Sequence, residues 1–234
     1  FGLDTVTGLS QTYGSKNVLG TGGSTLSVGG GYTVSDGNGG ANYTVVVNTA
    51  TGTITPKPLT VSGISATSKV YDGTTTANIT ASGAQVSGAI TGDAVTASIG
   101  SVAGTFADAN VGTAKAINLT GISLSGGDAG NYTLAGAAGV SADVTARPVV
   151  ITGATTSNAY TAATQTNTYT VEASSTGRGV LAGQSITATG SGSGLNVGTY
   201  ADTLAAVAGT GTSLSNYSIS YVNGGLTITP VTLG

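Results

Sequence analysis

The residues of this chain best suited to chemistry are its carboxylates. Asp72, Asp93, Asp108, Asp128 and Asp143 all fall in the middle of the sequence. Two such acids converging in a cleft would do the general acid–base work of a glycosidase. A larger group would hold Ca²⁺, which takes six to eight oxygens. Each of the five, however, has Gly or Ala beside it, in contexts where an Asp side chain closes its own turn. The proline-rich steps of the chain are also poor in acids: Thr55 to Pro58 has none, and Asp143 to Pro148 has one. The sequence contains no His and no Cys, which excludes Ser-His and Cys-His nucleophiles, His-metal centres and zinc thiolates. No catalytic, cofactor-binding or metal-ligating residue is assigned, no cofactor is expected, and the chain reads as a non-enzyme.

Three tyrosines offer a different chemistry. Tyr43, Tyr132 and Tyr217 each follow an asparagine and precede Thr or Ser. Their rings could form a stacking platform for sugars. The stronger reading is a core role, in which a tyrosine ahead of the closing strand of a sandwich buries its ring and bonds its hydroxyl to nearby backbone. Asn42, Asn78, Asn118, Asn131 and Asn216 open Asn-x-Thr/Ser sequons, the acceptor pattern for N-glycosylation. Lys69 and Lys115 are the only candidates for an Asn–Lys isopeptide crosslink, but no matching motif surrounds them.

These tyrosines mark a repeat. Asn131-Tyr132-Thr133 leads to Val144-Thr145, then Arg147-Pro148; Asn42-Tyr43-Thr44 leads to Ile54-Thr55-Pro56; Asn216-Tyr217-Ser218 leads to Ile228-Thr229-Pro230. The period is roughly 85–90 residues, the size of a small domain. A second landmark precedes each tyrosine: Asn17-Val18-Leu19-Gly20-Thr21, Asn110-Val111-Gly112-Thr113 and Asn196-Val197-Gly198-Thr199. Aligning them gives the C-terminal half of a module over residues 1–57, a complete module over 58–147 and another over 148–234. The half module lacks its earlier strands, so its apolar face and sheet edge are expected to be covered by residues upstream of Phe1 or by a neighbouring chain. The sequence thus reads as a slice of a longer array, with any export signal outside it.

Composition agrees with folded β structure. Only 6% of the 234 residues are charged and the formal net charge is −3, while mean hydropathy is +0.26, unlike the charged, weakly apolar make-up of disordered chains. Glycine supplies 40 residues for turns, and the abundant Thr favours strands. No basic stripe exists to neutralise phosphates, so nucleic acid is excluded as a partner. The longest apolar runs, such as Leu204-Ala205-Ala206-Val207-Ala208, fall far short of the roughly eighteen residues that span a bilayer. The lack of Cys leaves the redox compartment open.

Alternation places strands where Val95, Ala97 and Ile99 share a face, where Val140, Ala142 and Val144 do, and along Leu59-Val61, Ile117-Leu119, Tyr169-Val171 and Ile186-Ala188. No useful 3.6-residue apolar stripe occurs, so helices are expected to be minor. A β-solenoid is excluded because its short period is absent. Pro56-Lys57-Pro58 and Arg147-Pro148 hold the chain extended between modules. The expected fold class is all-β, with tandem immunoglobulin-like β-sandwich modules in an extended array.

The middle module, with Lys69-Val70-Tyr71-Asp72-Gly73-Thr74-Thr75, Phe106-Ala107-Asp108-Ala109-Asn110-Val111-Gly112-Thr113 and Gly127-Asp128-Ala129-Gly130-Asn131-Tyr132-Thr133, resembles the YDG repeat domain and the related MBG family. The last module carries Ala159-Tyr160-Thr161 in place of Tyr-Asp-Gly. Such modules are bacterial and Ig-like, and are arrayed in large exported adhesins similar to filamentous haemagglutinin, secreted by the two-partner route. The resemblance implies a stalk or spacer segment of a secreted or cell-surface adhesin or matrix fibre, whose partners are neighbouring modules and other copies of the chain. The alternative is a module that binds exopolysaccharide or host glycan.

Overall fold

The computed structural model describes residues 2–135 and 139–234, so Phe1, where the expected half module begins, lies outside the described residues. Among those described, regular structure is strand apart from two 3-10 turns, Ala129–Asn131 and Leu214–Asn216. No helix is long and apolar enough to cross a membrane. The chain is all-β, and its short, stacked sheets are consistent with a β-sandwich.

Two compact units emerge. The first joins the described residues up to Gly63 with Ala81–Ser101 and residues 121–135; the second joins Ile64–Thr80, Val102–Thr120 and Gly139–Gly234. These units and the sequence repeats partition the chain differently. Each unit draws on adjacent repeats, and both proline steps lie inside a unit. Arg147–Gly153 follows Ser141–Thr145 after a single residue, so the chain passes the second proline step as nearly continuous strand.

In the first unit, Gln11–Tyr13, Ser24–Val28 and Ala50–Gly52 form an antiparallel sheet. A second sheet places Lys57–Ser62 between Gln85–Ser87, which is antiparallel to it, and Tyr132–Ala135, which is parallel. Leu59, Val61 and Tyr132 are its buried apolar residues. Alternation explains which residues turn inward: Leu59 and Val61 are buried while Thr60 and Ser62 are exposed.

The second unit is the larger. A sheet of six strands runs Ser65–Thr67, Thr76–Thr80, Ala103–Phe106, Gly112–Thr120, Ser141–Thr145 and Lys69–Val70 in spatial order. Its apolar face, with Phe106, Ile117, Ala142 and Val144, shares one core with Val149, Ile151, Ile186 and Tyr217. Val149 and Ile151 are fully buried, which stabilises the unit by about 1.5–3 kcal/mol each. Tyr169–Val171, Arg147–Gly153 and Tyr217–Val222 form one three-stranded sheet, and Thr155–Ala159, Gly225–Thr229 and Gly198–Ala201 another. In both sheets the repeat's early strand lies parallel to a late one. Parallel neighbours require a long crossover, and here the rest of the repeat supplies it.

Arg147 shows what this arrangement demands. Its side chain is buried, and its guanidinium donates to the carbonyl oxygens of Gly179, Ser175, Arg178 and Tyr71 and to Ser174 Oγ. A planar donor fork satisfies several carbonyls at once. Arg147→Ala strands those carbonyls and is expected to destabilise the second unit by about 3 kcal/mol, read as a lower urea midpoint. An unchanged midpoint would show that water replaces the guanidinium freely.

Candidate functional site

Tyr132 and Tyr217 are buried, each directly after a 3-10 turn. The Tyr132 hydroxyl accepts from the Ile90 N–H at 3.0 Å and donates to Asp93 Oδ2 at 2.6 Å. The Tyr217 hydroxyl accepts from the Leu181 N–H at 3.2 Å and donates to Gln184 Oε1 at 2.6 Å. Both rings therefore act as core and both hydroxyls as clasps on the backbone. Tyr43 differs: its hydroxyl donates to Asp4 Oδ2 at 2.6 Å, but the residue is 37% exposed.

The asparagine before each buried tyrosine reaches back to a segment more than a hundred positions earlier. Asn216 Oδ1 accepts the Val111 N–H at 3.0 Å, and Asn216 Nδ2 donates to Asn110 Oδ1 at 3.0 Å. Asn131 Oδ1 accepts the Val18 N–H at 2.9 Å, and Asn131 Nδ2 donates to Asn17 Oδ1 at 3.0 Å. The two kinds of landmark found in the sequence thus meet each other twice, through the same pair of bonds. Two of the five sequon asparagines are used in this way, whereas Asn42, Asn78 and Asn118 are exposed.

Tyr71 of the Tyr-Asp-Gly motif is also buried, edge-to-face on Tyr217 with ring centroids 5.7 Å apart. Gln184 Nε2 donates to its hydroxyl at 2.8 Å. Asp72 Oδ1 accepts from the Thr74 N–H and from Lys69 Nζ, both at 2.8 Å. Gly73 sits at φ +76°, a conformation that costs glycine little. The motif is a turn that presents a core aromatic.

The remaining acids are also engaged. Asp93 and Asp128 are brought together on Lys16 Nζ, at 2.7 and 3.0 Å; Lys16 first, then the Tyr132 hydroxyl, holds the Asp93 carboxyl below its ordinary range. Asp108 pairs with Lys115 at 2.7 Å, and Asp143 accepts the Ala114 N–H at 2.7 Å. Lys69 and Lys115 both lie over the Phe106 ring, at 5.7 and 5.8 Å from its centroid. Among the described residues no group of three acids is placed to hold a metal ion.

Sequence reasoning missed the most buried polar cluster. Asp202 is 3% exposed and Asn167 5%. The Asp202 carboxylate accepts from the N–H groups of Gly192 and Gly224, at 2.7 and 3.1 Å, and from Asn167 Nδ2, at 2.9 Å. A side chain at Gly153 would place its Cβ 2.0 Å from Asp202 Oδ2, so this glycine makes room for the carboxylate. Burial pushes the Asp202 carboxyl up, but the Gly192, Asn167 and Gly224 hydrogen bonds outweigh it and hold the carboxyl below its ordinary range. The only sequence signal was a rare charge in a repeat with few.

Two open features remain. A groove of about 230 Å³ beside Tyr43 is lined by Asp4, Val6, Val34 and Val45, among others. A smaller one of about 150 Å³ lies against Tyr132, Lys16, Val18 and Asn131.

Among comparisons with known proteins, residues 55–141 match the family model of the YDG domain. That segment contributes strands to both compact units. No curated protein and no solved structure matches the chain.

Two predictions follow from the bonds above. Asn216→Ala leaves the part-buried Val111 N–H without its acceptor and is expected to cost about 1 kcal/mol, measured by chemical denaturation; a loss within error would mean that the clamp is solvated. The second concerns pH. A carboxyl depressed on folding contributes stability above its unfolded pKa of about 3.9, and that contribution is lost as pH falls through the lower folded value. The melting temperature should therefore be level above about pH 5 and fall in stronger acid. Asp202→Asn should make that fall shallower, and an unchanged acid slope would remove Asp202 from the account.

Proposed function

We propose that this chain is a non-enzymatic stalk or spacer segment of a secreted or cell-surface bacterial adhesin or matrix fibre, built of tandem Ig-like modules. The observation that carries this reading is that the groups suited to chemistry serve the fold. Tyr132 and Tyr217 are buried clasps, Asn131 and Asn216 link landmarks one repeat apart, and the candidate aspartates engage lysines, backbone amides or a tyrosine. The YDG domain at residues 55–141 supports the same reading. Modules whose neighbours are joined by the part-buried Asn131 and Asn216 hydrogen bonds suit a load-carrying spacer, because stability then rests on nearest-neighbour contacts.

A second reading, binding of exopolysaccharide or host glycan, draws on the exposed Tyr43 ring and its groove, since aromatic faces and flanking acceptors suit sugars. Pull-down of the whole chain on immobilised polysaccharides, followed by titration of any hit, separates the two. The spacer reading expects no saturable retention, and micromolar saturable binding that Tyr43→Ala abolishes would overturn it. Small-angle scattering should give the elongated profile of a semi-rigid array, and a globular profile would contradict that part.

A further inference from the structure

Two stretches of the second unit run side by side along nearly their whole length. Arg147–Gly153 lies parallel to Tyr217–Val222, from Arg147 opposite Tyr217 to Thr152 opposite Val222. Thr155–Ala159 then lies parallel to Gly225–Thr229, from Thr155 opposite Gly225 to Ala159 opposite Thr229. The offset between partners is the same in both, so the two stretches change sheet together without slipping in register. Each is braced on its far side by an antiparallel strand: Arg147–Gly153 by Tyr169–Val171, and Gly225–Thr229 by Gly198–Ala201. Val149, Ile151, Leu226 and Ile228 are buried, which keeps water away from the ladder they belong to.

The level at which they change sheet is pinned. The Gly225 N–H donates to the Ala154 carbonyl oxygen at 2.9 Å, and Asn167 Nδ2 donates to the same oxygen at 2.6 Å. The Asp202 carboxylate accepts from the Gly224 N–H and from Asn167 Nδ2, so one buried acid ties both stretches at their shared bend. The ends are held too. Arg147 fastens the first through its guanidinium bonds to backbone carbonyls. At the other end the Tyr160 N–H donates to the Thr229 carbonyl oxygen at 2.9 Å, and the Thr229 hydroxyl donates to the Asn158 carbonyl oxygen at 3.2 Å.

We propose that residues 147–159 and 217–229 form a shear clamp, locked at its bend by Asp202, through which the second unit carries tension along the chain. The reason lies in strand direction. In parallel neighbours the start of one strand and the end of the other lie at opposite ends of the ladder. A pull on residues 148 and 230 therefore acts along the strands and loads all the bonds between them at once. A pull on two residues that face each other at one end opens the same bonds one by one. While the clamp holds, residues 160–216 lie outside the load path, and they are released only when it breaks. Forced unfolding follows the barrier to rupture rather than the equilibrium stability, so a small unit built in this way resists force beyond what its stability suggests. The inference deepens the reading of the chain as a spacer segment and rests on it.

The chain has no cysteine, so introduced pairs fix where force is applied, and Pro148, Ser218 and Pro230 are exposed. Whole chains carrying Pro148→Cys with Pro230→Cys are pulled along the ladder in an optical trap. Chains carrying Pro148→Cys with Ser218→Cys, which face each other, are pulled across it. At one loading rate the first pair should yield at a force at least roughly twice that of the second, because bonds broken together resist more than bonds broken singly. Rupture along the ladder should lengthen the chain by roughly 25 nm, at about 3.5 Å for each residue freed. Asp202→Ala, with folding verified by circular dichroism, should lower the force along the ladder and leave the force across it, set at the Arg147 end, unchanged; should that variant not fold, the comparison of directions decides alone. Equal forces in the two directions would overturn the proposal, and so would a force along the ladder insensitive to Asp202→Ala. Either result leaves the spacer reading standing, since that reading falls to saturable polysaccharide binding instead.

Discussion

The Val111 N–H lies just before the strand Gly112–Thr120, where no neighbouring strand takes it up; the side-chain oxygen of Asn216 accepts it at 3.0 Å. Asn216 is 3% exposed, and a buried polar group left without a partner costs on the order of 1–3 kcal/mol. Each member of the pair therefore fixes the other. Once Asn216 is held there, the 3-10 turn Leu214–Asn216 places Tyr217 in the core. The strand that follows Tyr217 then has its register against Arg147–Gly153 set from its first residue. A weak point at Val111 thus becomes the anchor for the strand that opens with Tyr217.

That coupling explains why the compact units do not coincide with the repeats. A module whose core closed entirely on itself would not need Asn216 to reach back to residue 111, or Tyr71 to pack on Tyr217. Here the second unit's core combines residues from Tyr71 to Val144 with residues from Val149 to Tyr217. The first unit combines the described residues up to Gly63 with Ala81–Ser101 and residues 121–135. In a chain with few aromatics and charges, sharing a core between repeats buries more apolar area than each half-sheet would bury alone. Parallel pairing of early and late strands is the consequence in backbone terms.

Much of this was legible in the sequence. The alternation of Ala142, Asp143 and Val144 marks the inward face of that strand correctly, and Asp72-Gly73 is the turn its residue types imply. The recurring tyrosines fall at core positions in two of three cases. What the sequence did not disclose was pairing at a distance. Nothing in Asn110-Val111 or Asn216-Tyr217 says that the two landmarks bond to each other, because a hydrogen bond across 105 positions leaves no local pattern. Arg147 and Asp202 escaped for the same reason. A charged residue in a polar stretch reads as surface, and only the assembled carbonyls around Arg147 and amides around Asp202 make burial tolerable.

Native-state hydrogen exchange at the Val18 and Val111 amides tests the long-range asparagine clamps most directly. Neither amide lies in a strand, so any slow exchange reports the side-chain acceptors Asn131 and Asn216. The account predicts that both amides are protected to a degree comparable with the strand amides of their own unit. Exchange as fast as that of an open glycine-rich loop, at both positions, would contradict it.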